Sequence, residues 1–381
     1  RRPATARVTP STTSSKRSSG TTVVASVFAL AFVFGAITQR TNFCTMGSVA
    51  DVVTFGDWTR MRQWLLAIAV AILGTNLLAA TGVIDTADSF YTSPRFTPFA
   101  YVIGGLLFGF GMVLTGGCGS KSLVRAGAGS LKSLVVLVVL GIVAYISLRG
   151  LLAVFRVGVI EPVSTRLATP QDLPSLLAGF GLPKSVLQLG LALLISAGLF
   201  FVVFRERSFR TFDNLLAGLG IGAIIVAAWA VSGTIGHVEE HPNTLQEAFL
   251  RTNSGRMESL SFVAPVAYTI DYLMFFSDTS KVVTIGIAAV LGMITGSAAY
   301  ALVAGQFRWE GFRDTEDTAN HLVGAALMGF GGVTALGCTI GQGLSGVSTL
   351  AIGSFIALAA IVTGAVLALK YQAWRLDRTA A

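Results

Sequence analysis

Residues 103–118 read IGGLLFGFGMVLTGGC, and residues 323–338 read VGAALMGFGGVTALGC. The two align without a gap at an offset of 220, and eight of the sixteen positions are identical. Each copy is an apolar stretch striped with glycine that ends in a Gly-Cys pair, Gly117-Cys118 and Gly337-Cys338. Each is followed by a short run of glycine and serine, GSKSLVRAGAGS at 119–130 and TIGQGLSGVST at 339–349. This spacing is far longer than any solenoid repeat. In a hydrophobic chain it is the trace of a protein assembled from two related membrane-embedded halves.

The composition agrees. Of the 381 residues, 53% are hydrophobic and only 12% charged, about half the charged share of a soluble domain. Too little charge remains to coat a soluble α/β fold of this size. Apolar runs near 20 residues, long enough to cross a bilayer core of about 30 Å, recur along the chain. The net charge of +8 includes five basic residues in the first 17 positions, with many others flanking apolar runs. Such placement is a topology signal, and no nucleic-acid face is indicated. Three cysteines far apart in sequence read most simply as free thiols.

Hydropathy predicts nine spans, at about 21–38, 62–82, 98–116, 131–153, 185–204, 212–231, 281–304, 320–337 and 349–370. The last three begin close to 220 residues after their counterparts, so the plan is four, one, four. The expected fold is therefore an all-α polytopic membrane protein of about nine helices. Residues 1–20 form a disordered polar tail, 21–153 a first repeat, 154–204 a proline-containing linker and a single connecting span, 205–370 a second repeat, and 371–381 a basic C-terminal tail. An odd crossing between the halves inverts one relative to the other. The two Gly-Cys turns then enter from opposite faces as re-entrant hairpins. Two further segments, 39–57 with Cys44 and 260–276 with Pro265 and Asp271, are too short or too polar to span and are expected to be re-entrant or interfacial.

Cysteine among glycines can be a mere packing residue. Two cysteines at matching positions of a duplicated half argue for more. Gly117, Gly119, Gly337 and Gly341 clear side chains from the turns, which lets backbone N–H groups and the positive end of a following half-helix face a small anion. A thiol beside them is a weak donor and a polarisable contact, suited to an anion that carries sulfur. Cys44 would be a third thiol on the same path. Arg40, Lys121 and Arg125 could draw anions into the mouths, although positive residues at helix ends also act as topology anchors. Three cysteines with Met46 nearby could hold a soft metal, but the closely spaced ligand pairs of a metal site are missing. No cofactor is implied. His237, His241 and His321 sit in polar linkers or at a span entrance and are expected to be solvated. No Walker loop, Ser-His-Asp set or H-E-x-x-H run occurs, which excludes ATP-driven pumping by this chain itself.

Three motifs, RTNFCTMGSVAD (40–51), GFGMVLTGGCGS (109–120) and GFGGVTALGCTIGQGLSG (329–346), resemble those of the YeeE/YedE family of bacterial sulfur-transport membrane proteins. The likeness spans essentially residues 23–370 and includes all three family cysteines, as Cys44, Cys118 and Cys338. It implies an hourglass fold with re-entrant hairpins, located in the inner membrane, that takes up thiosulfate or a related anion between the thiols. It also implies a cytosolic TusA-like sulfur-carrier protein as acceptor. The long polar N-terminus and the acidic insert at 236–259 depart from the family pattern. Two other classes stay open at this point: a membrane sulfurtransferase carrying a cysteine persulfide, and a soft-metal transporter.

Overall fold

The computed structural model describes residues 10–178, 183–240 and 245–380. Among them the chain is helical, apart from two antiparallel ladders of two residues per strand, Arg95–Phe96 with Thr165–Arg166 and His237–Val238 with Ala248–Phe249. The first half comprises α1 (Pro10–Thr41), α2 (Thr45–Phe55), α3 (Thr59–Ala80), α4 (Pro98–Leu114), α5 (Gly119–Gly127) and α6 (Leu131–Arg149). A connecting helix α7 (Lys184–Phe204) follows. The second half comprises α8 (Phe212–Ile235), α9 (Val263–Met274), α10 (Ile285–Val303), α11 (Thr315–Thr334), α12 (339–348) and α13 (Ile352–Ala380). Local chemistry sets several of these starts. Pro98 opens α4, where its missing N–H is not needed. Ser130 accepts from Ser133 N at 3.4 Å and Asp314 from Asp317 N at 2.7 Å, capping α6 and α11.

Helices form over all nine expected spans. Among the described residues, eight segments are long and apolar enough to cross a membrane, so this is an all-α polytopic membrane protein. The helix over 320–337 is not among the eight. It begins at Thr315, and Glu316 and Asp317 lie in its first turn. The segment at 260–276 yields only the 12-residue α9, too short to span. The polar tail expected over 1–20 is already helical from Pro10, while residues 1–9 lie outside the described residues. The expected C-terminal tail from residue 371 is likewise a continuation of α13, whose helix runs to Ala380.

Contacts between the halves come in matched pairs. Helix α1 packs on α10 as α8 packs on α3, α4 on α13 as α11 on α6, and α5 on α10 as α12 on α3. The two sequence-related helices α4 and α11 cross each other at the centre. Their glycines make that crossing possible. A Cβ on Gly111 would stand 2.5 Å from the Gly324 carbonyl oxygen, and one on Gly324 would stand 2.6 Å from that of Gly111. Backbone-to-backbone approach of this kind is how helices gain packing in lipid, where apolar burial gives little drive. Around this centre lie buried Phe34, Phe108, Met112, Leu140, Trp229 and Phe262. The connecting helix α7 packs on α3.

The Gly-Cys segments join helices with different neighbours. While α4 packs on α11 and α13, α5 packs on α10 and α6. The corner after α5 is tied down where Lys132 Nζ meets Glu310 at 2.9 Å, in the loop before α11. The corner before α13 is tied by Asp172, which bridges to Ala351.

Candidate functional site

All three cysteines take the same structural position. Each is the N-cap of a short helix, with its carbonyl accepting the first intrahelical hydrogen bond: Cys44 from Ser48 N at 2.9 Å, Cys118 from Ser122 N at 2.9 Å, and Cys338 from Gln342 N at 2.7 Å. All three are free and buried. Two share a finer motif. Cys44-Thr45-Met46-Gly47 and Cys338-Thr339-Ile340-Gly341 are both C-T-x-G. In each, the glycine N–H donates to the capping sulfur, at 3.4 Å for Gly47 to Cys44 Sγ and 3.4 Å for Gly341 to Cys338 Sγ. Cys118 differs, its sulfur lying 3.1 Å from Ser120 Oγ.

The fold brings these caps together. Cys118 lies within electrostatic reach of both Cys44 and Cys338. The three are nevertheless spread out: among the described residues, no three His, Cys, Asp or Glu side chains converge closely enough to hold one metal ion. Orphaned polar atoms gather beside them. Thr45 Oγ1, next to Cys44, and Thr339 Oγ1 and Gln342 Oε1, next to Cys338, are buried without a hydrogen-bond partner. Buried polar atoms are nearly always paired, so these three mark places where a polar guest would be welcome.

Of the cations singled out in the sequence, Lys121 and Arg125 lie at this cluster and Arg40 does not. Lys121 is only 8% exposed. Its ammonium donates to Asn42 Oδ1 at 3.4 Å and stands in the field of Cys44 and Cys118. Among the described residues it has no carboxylate within salt-bridge distance. The Arg125 guanidinium comes 3.5 Å from where a Cβ on Gly116 would stand, at the turn before Cys118. Arg40 is matched by Asp213 at 2.9 Å and lies over the Phe212 ring, so it anchors α1 to α8.

The glycines differ in what they clear. Gly341 faces Ser261 and Tyr91, and Gly47 faces the Arg60 guanidinium, which Asp51 holds at 2.7 Å. Gly117 lies against the Lys121 stem, and Gly337 against Gln342. Around Gly119 there is ordinary contact only, with Leu140 and Val263. Two cavities approach Cys338. One of about 190 Å3 is lined by Ser261, Glu258, Tyr268, Leu336 and Gly337. A second of about 230 Å3, lined by Arg95, Arg256, Thr334 and Leu336, adjoins it.

One histidine reading changes. His321 is buried rather than solvated, its Nδ1 2.7 Å from the Asp317 carbonyl oxygen in the first turns of α11. His237 pairs with Glu247 at 2.6 Å, and His241 lies outside the described residues. Trp229 is fully buried and donates to Ser348 Oγ at 3.0 Å, at the end of α12.

A polytopic helical membrane protein with buried, capped thiols at helix interruptions is the class this architecture defines. Residues 40–367 match the family model described as sulphur transport, and the chain belongs to that family. It is 25% identical over 355 residues to the thiosulfate transporter TsuA of Escherichia coli (strain K12), covering 87% of this chain and 90% of the relative. It is 26% identical over 339 residues to the thiosulfate transporter TsuA of Spirochaeta thermophila, covering 87% and 94%. A probable transporter of Escherichia coli, YedE, is 29% identical over 177 residues, covering 46% and 40%.

Proposed function

We propose that this protein imports a sulfur-containing anion, thiosulfate in the first instance, through the inner membrane along the series Cys338, Cys118 and Cys44. The observation that carries this reading is the shared placement of the three buried thiols at helix N-caps. A helix N-terminus offers unpaired N–H groups and partial positive charge. Thiols add soft, weak contacts that hold an ion without trapping it, and conduction needs binding loose enough to release. The paired contacts between halves fit two inverted repeats, each supplying one Gly-Cys turn, with Gly117, Gly119, Gly337 and Gly341 keeping the turns open. The names of the relatives support thiosulfate as the substrate, and a TusA-like protein on the cytosolic side is the acceptor in this reading.

Uptake of radiolabelled thiosulfate into proteoliposomes tests this. Cys118→Ala and Cys338→Ala should each abolish uptake while the protein remains folded. Undiminished uptake in both variants would sink the reading.

One observation favours a second reading. The Lys121 ammonium beside Cys44 offsets part of what burial costs a thiolate there. Such a thiolate could attack the outer sulfur of thiosulfate, forming a cysteine persulfide as the sulfur–sulfur bond breaks and sulfite leaves. Intact-protein mass spectrometry after exposure to thiosulfate separates the two. A stable gain of one sulfur on Cys44 or Cys118 supports transfer, and an unchanged mass supports passage of the whole ion.

A further inference from the structure

One buried side chain near Cys338 has no part in the fold's own hydrogen bonding. Tyr91 lies between α3 and α4, is 3% exposed, and its hydroxyl has no partner. The ring is firmly held. It packs against Phe90 with centroids 3.9 Å apart and meets Trp229 edge-on at 6.2 Å. Its hydroxyl stands 3.1 Å from where a Cβ on Gly341 would be, and Ser261 Oγ stands 2.6 Å from that same point. The Gly341 N–H itself donates to Cys338 Sγ at 3.4 Å, and Cys338 and Tyr91 lie within electrostatic reach of each other. A phenol, a thiol, a serine hydroxyl and an N–H thus converge on Gly341, packed closely enough that no side chain would fit there. Thr339 Oγ1, one residue from Cys338, is also unpartnered.

The two ends of the thiol series differ in charge. Lys121 serves Cys44 and Cys118, whereas the groups acting on Cys338 are Cys118 and the N–H groups of Phe262, Ile340 and Gly341. The donors at this turn are neutral, with Arg95 and Arg256 set off in the adjoining cavity, so each one counts. A phenol is a good one, because hydrogen bonds to an ionised acceptor are about twice as strong as neutral ones.

Resting on the anion reading of the thiol series, we propose that Tyr91 is a direct substrate contact, its hydroxyl donating to an oxygen of the bound anion at the Cys338–Gly341 turn. It sets how tightly oxyanions are held at the Cys338 turn. Removing the hydroxyl therefore weakens binding there and leaves the path itself open.

The test uses the full chain in detergent micelles, with thiosulfate titrated calorimetrically into wild type, Tyr91→Phe and Cys338→Ala. Phenylalanine keeps the ring against Phe90 and Trp229, so the fold is preserved. Tyr91→Phe should bind thiosulfate about tenfold more weakly or worse. Its ligand-free melting temperature should equal or exceed that of wild type, since only an unpartnered buried hydroxyl is lost. In proteoliposomes its KM should rise with little change in maximal rate. Equal affinity in wild type and Tyr91→Phe, with binding lost in Cys338→Ala, overturns this assignment alone. A lowered ligand-free melting temperature with unchanged affinity shows a structural role and overturns it too. Wild type that binds no thiosulfate overturns the transport reading beneath it.

Discussion

Gly116 and Leu336 occupy the same position in the two duplicated turns and adopt the same left-handed backbone, φ 65° and 58°. The turn requires that conformation in both halves. In the first it falls to glycine, in the second to a leucine. The pattern recurs where the short helices end, at Gly129 with φ 102° and Leu350 with φ 58°. A left-handed leucine costs about 1–2 kcal/mol, so the second half holds its turn under backbone strain next to Cys338.

That strain sets a first expectation. Leu336 is 39% exposed, and its replacement loses little packing. Leu336→Gly should leave stability unchanged or raise it by up to about 1 kcal/mol, the relief being partly offset by glycine's unfolded-state freedom. Gly116→Ala should lower it by about 1 kcal/mol or more. Thermal unfolding in detergent measures both, and a clear loss in Leu336→Gly would contradict the strain account.

The α4–α11 crossing offers a second. A Cβ at Gly111 or Gly324 meets the other's carbonyl oxygen at 2.5–2.6 Å. Each alanine substitution should therefore destabilise by about 1–3 kcal/mol. The double variant should fall short of the sum, because either change alone already forces the helices apart. Strict additivity across the four proteins of the cycle would show that the two glycines do not share one contact.

Lys121 should trade stability against function. A buried ammonium with no carboxylate partner is costly to desolvate. Lys121→Met is expected to raise the unfolding midpoint, by about 1–2 kcal/mol in stability terms, and to weaken uptake at low thiosulfate. A variant that is less stable and transports normally would remove Lys121 from the path.

The corner after α5 carries a pH dependence. The hydrogen bond and charge of Lys132 hold the Glu310 carboxyl below its ordinary value of 4.5. This ion pair contributes fully above that value and is lost as pH falls through the lower folded one. Glu310 is 53% exposed, so solvent screening keeps the contribution below about 1 kcal/mol. Glu310→Gln should flatten that part of a stability profile measured from neutral pH down to about 3. An unaltered acid limb would assign the loss to other carboxylates.

Much of this site could be seen in one dimension. The duplication singled out Cys118 and Cys338, and Lys121 was visible as a cation three residues beyond the first of them. A further signal lay in plain view. The C-T-x-G run at Cys44 and again at Cys338 marks two thiols capped in the same way, despite their unrelated flanks. Other features had no local trace. Nothing near Arg40 in sequence announces its pairing with Asp213, and nothing near Tyr91 announces that it faces Gly341. His321 reads as a polar residue at a helix entrance, yet the loop carrying Phe312 folds over it.

The sequence by itself determined that this chain lives in a membrane, is helical, and repeats one Gly-Cys stretch at an offset of 220 residues. Hydropathy and a long internal repeat suffice for that, because the bilayer leaves a spanning segment with no other way to satisfy its backbone. Only the tertiary structure decided that three distant thiols share one buried neighbourhood, with Lys121 at its Cys44 end. Proximity there is set by helices crossing backbone to backbone at Gly111 and Gly324. Such a crossing couples residues hundreds of positions apart, beyond the reach of any local pattern.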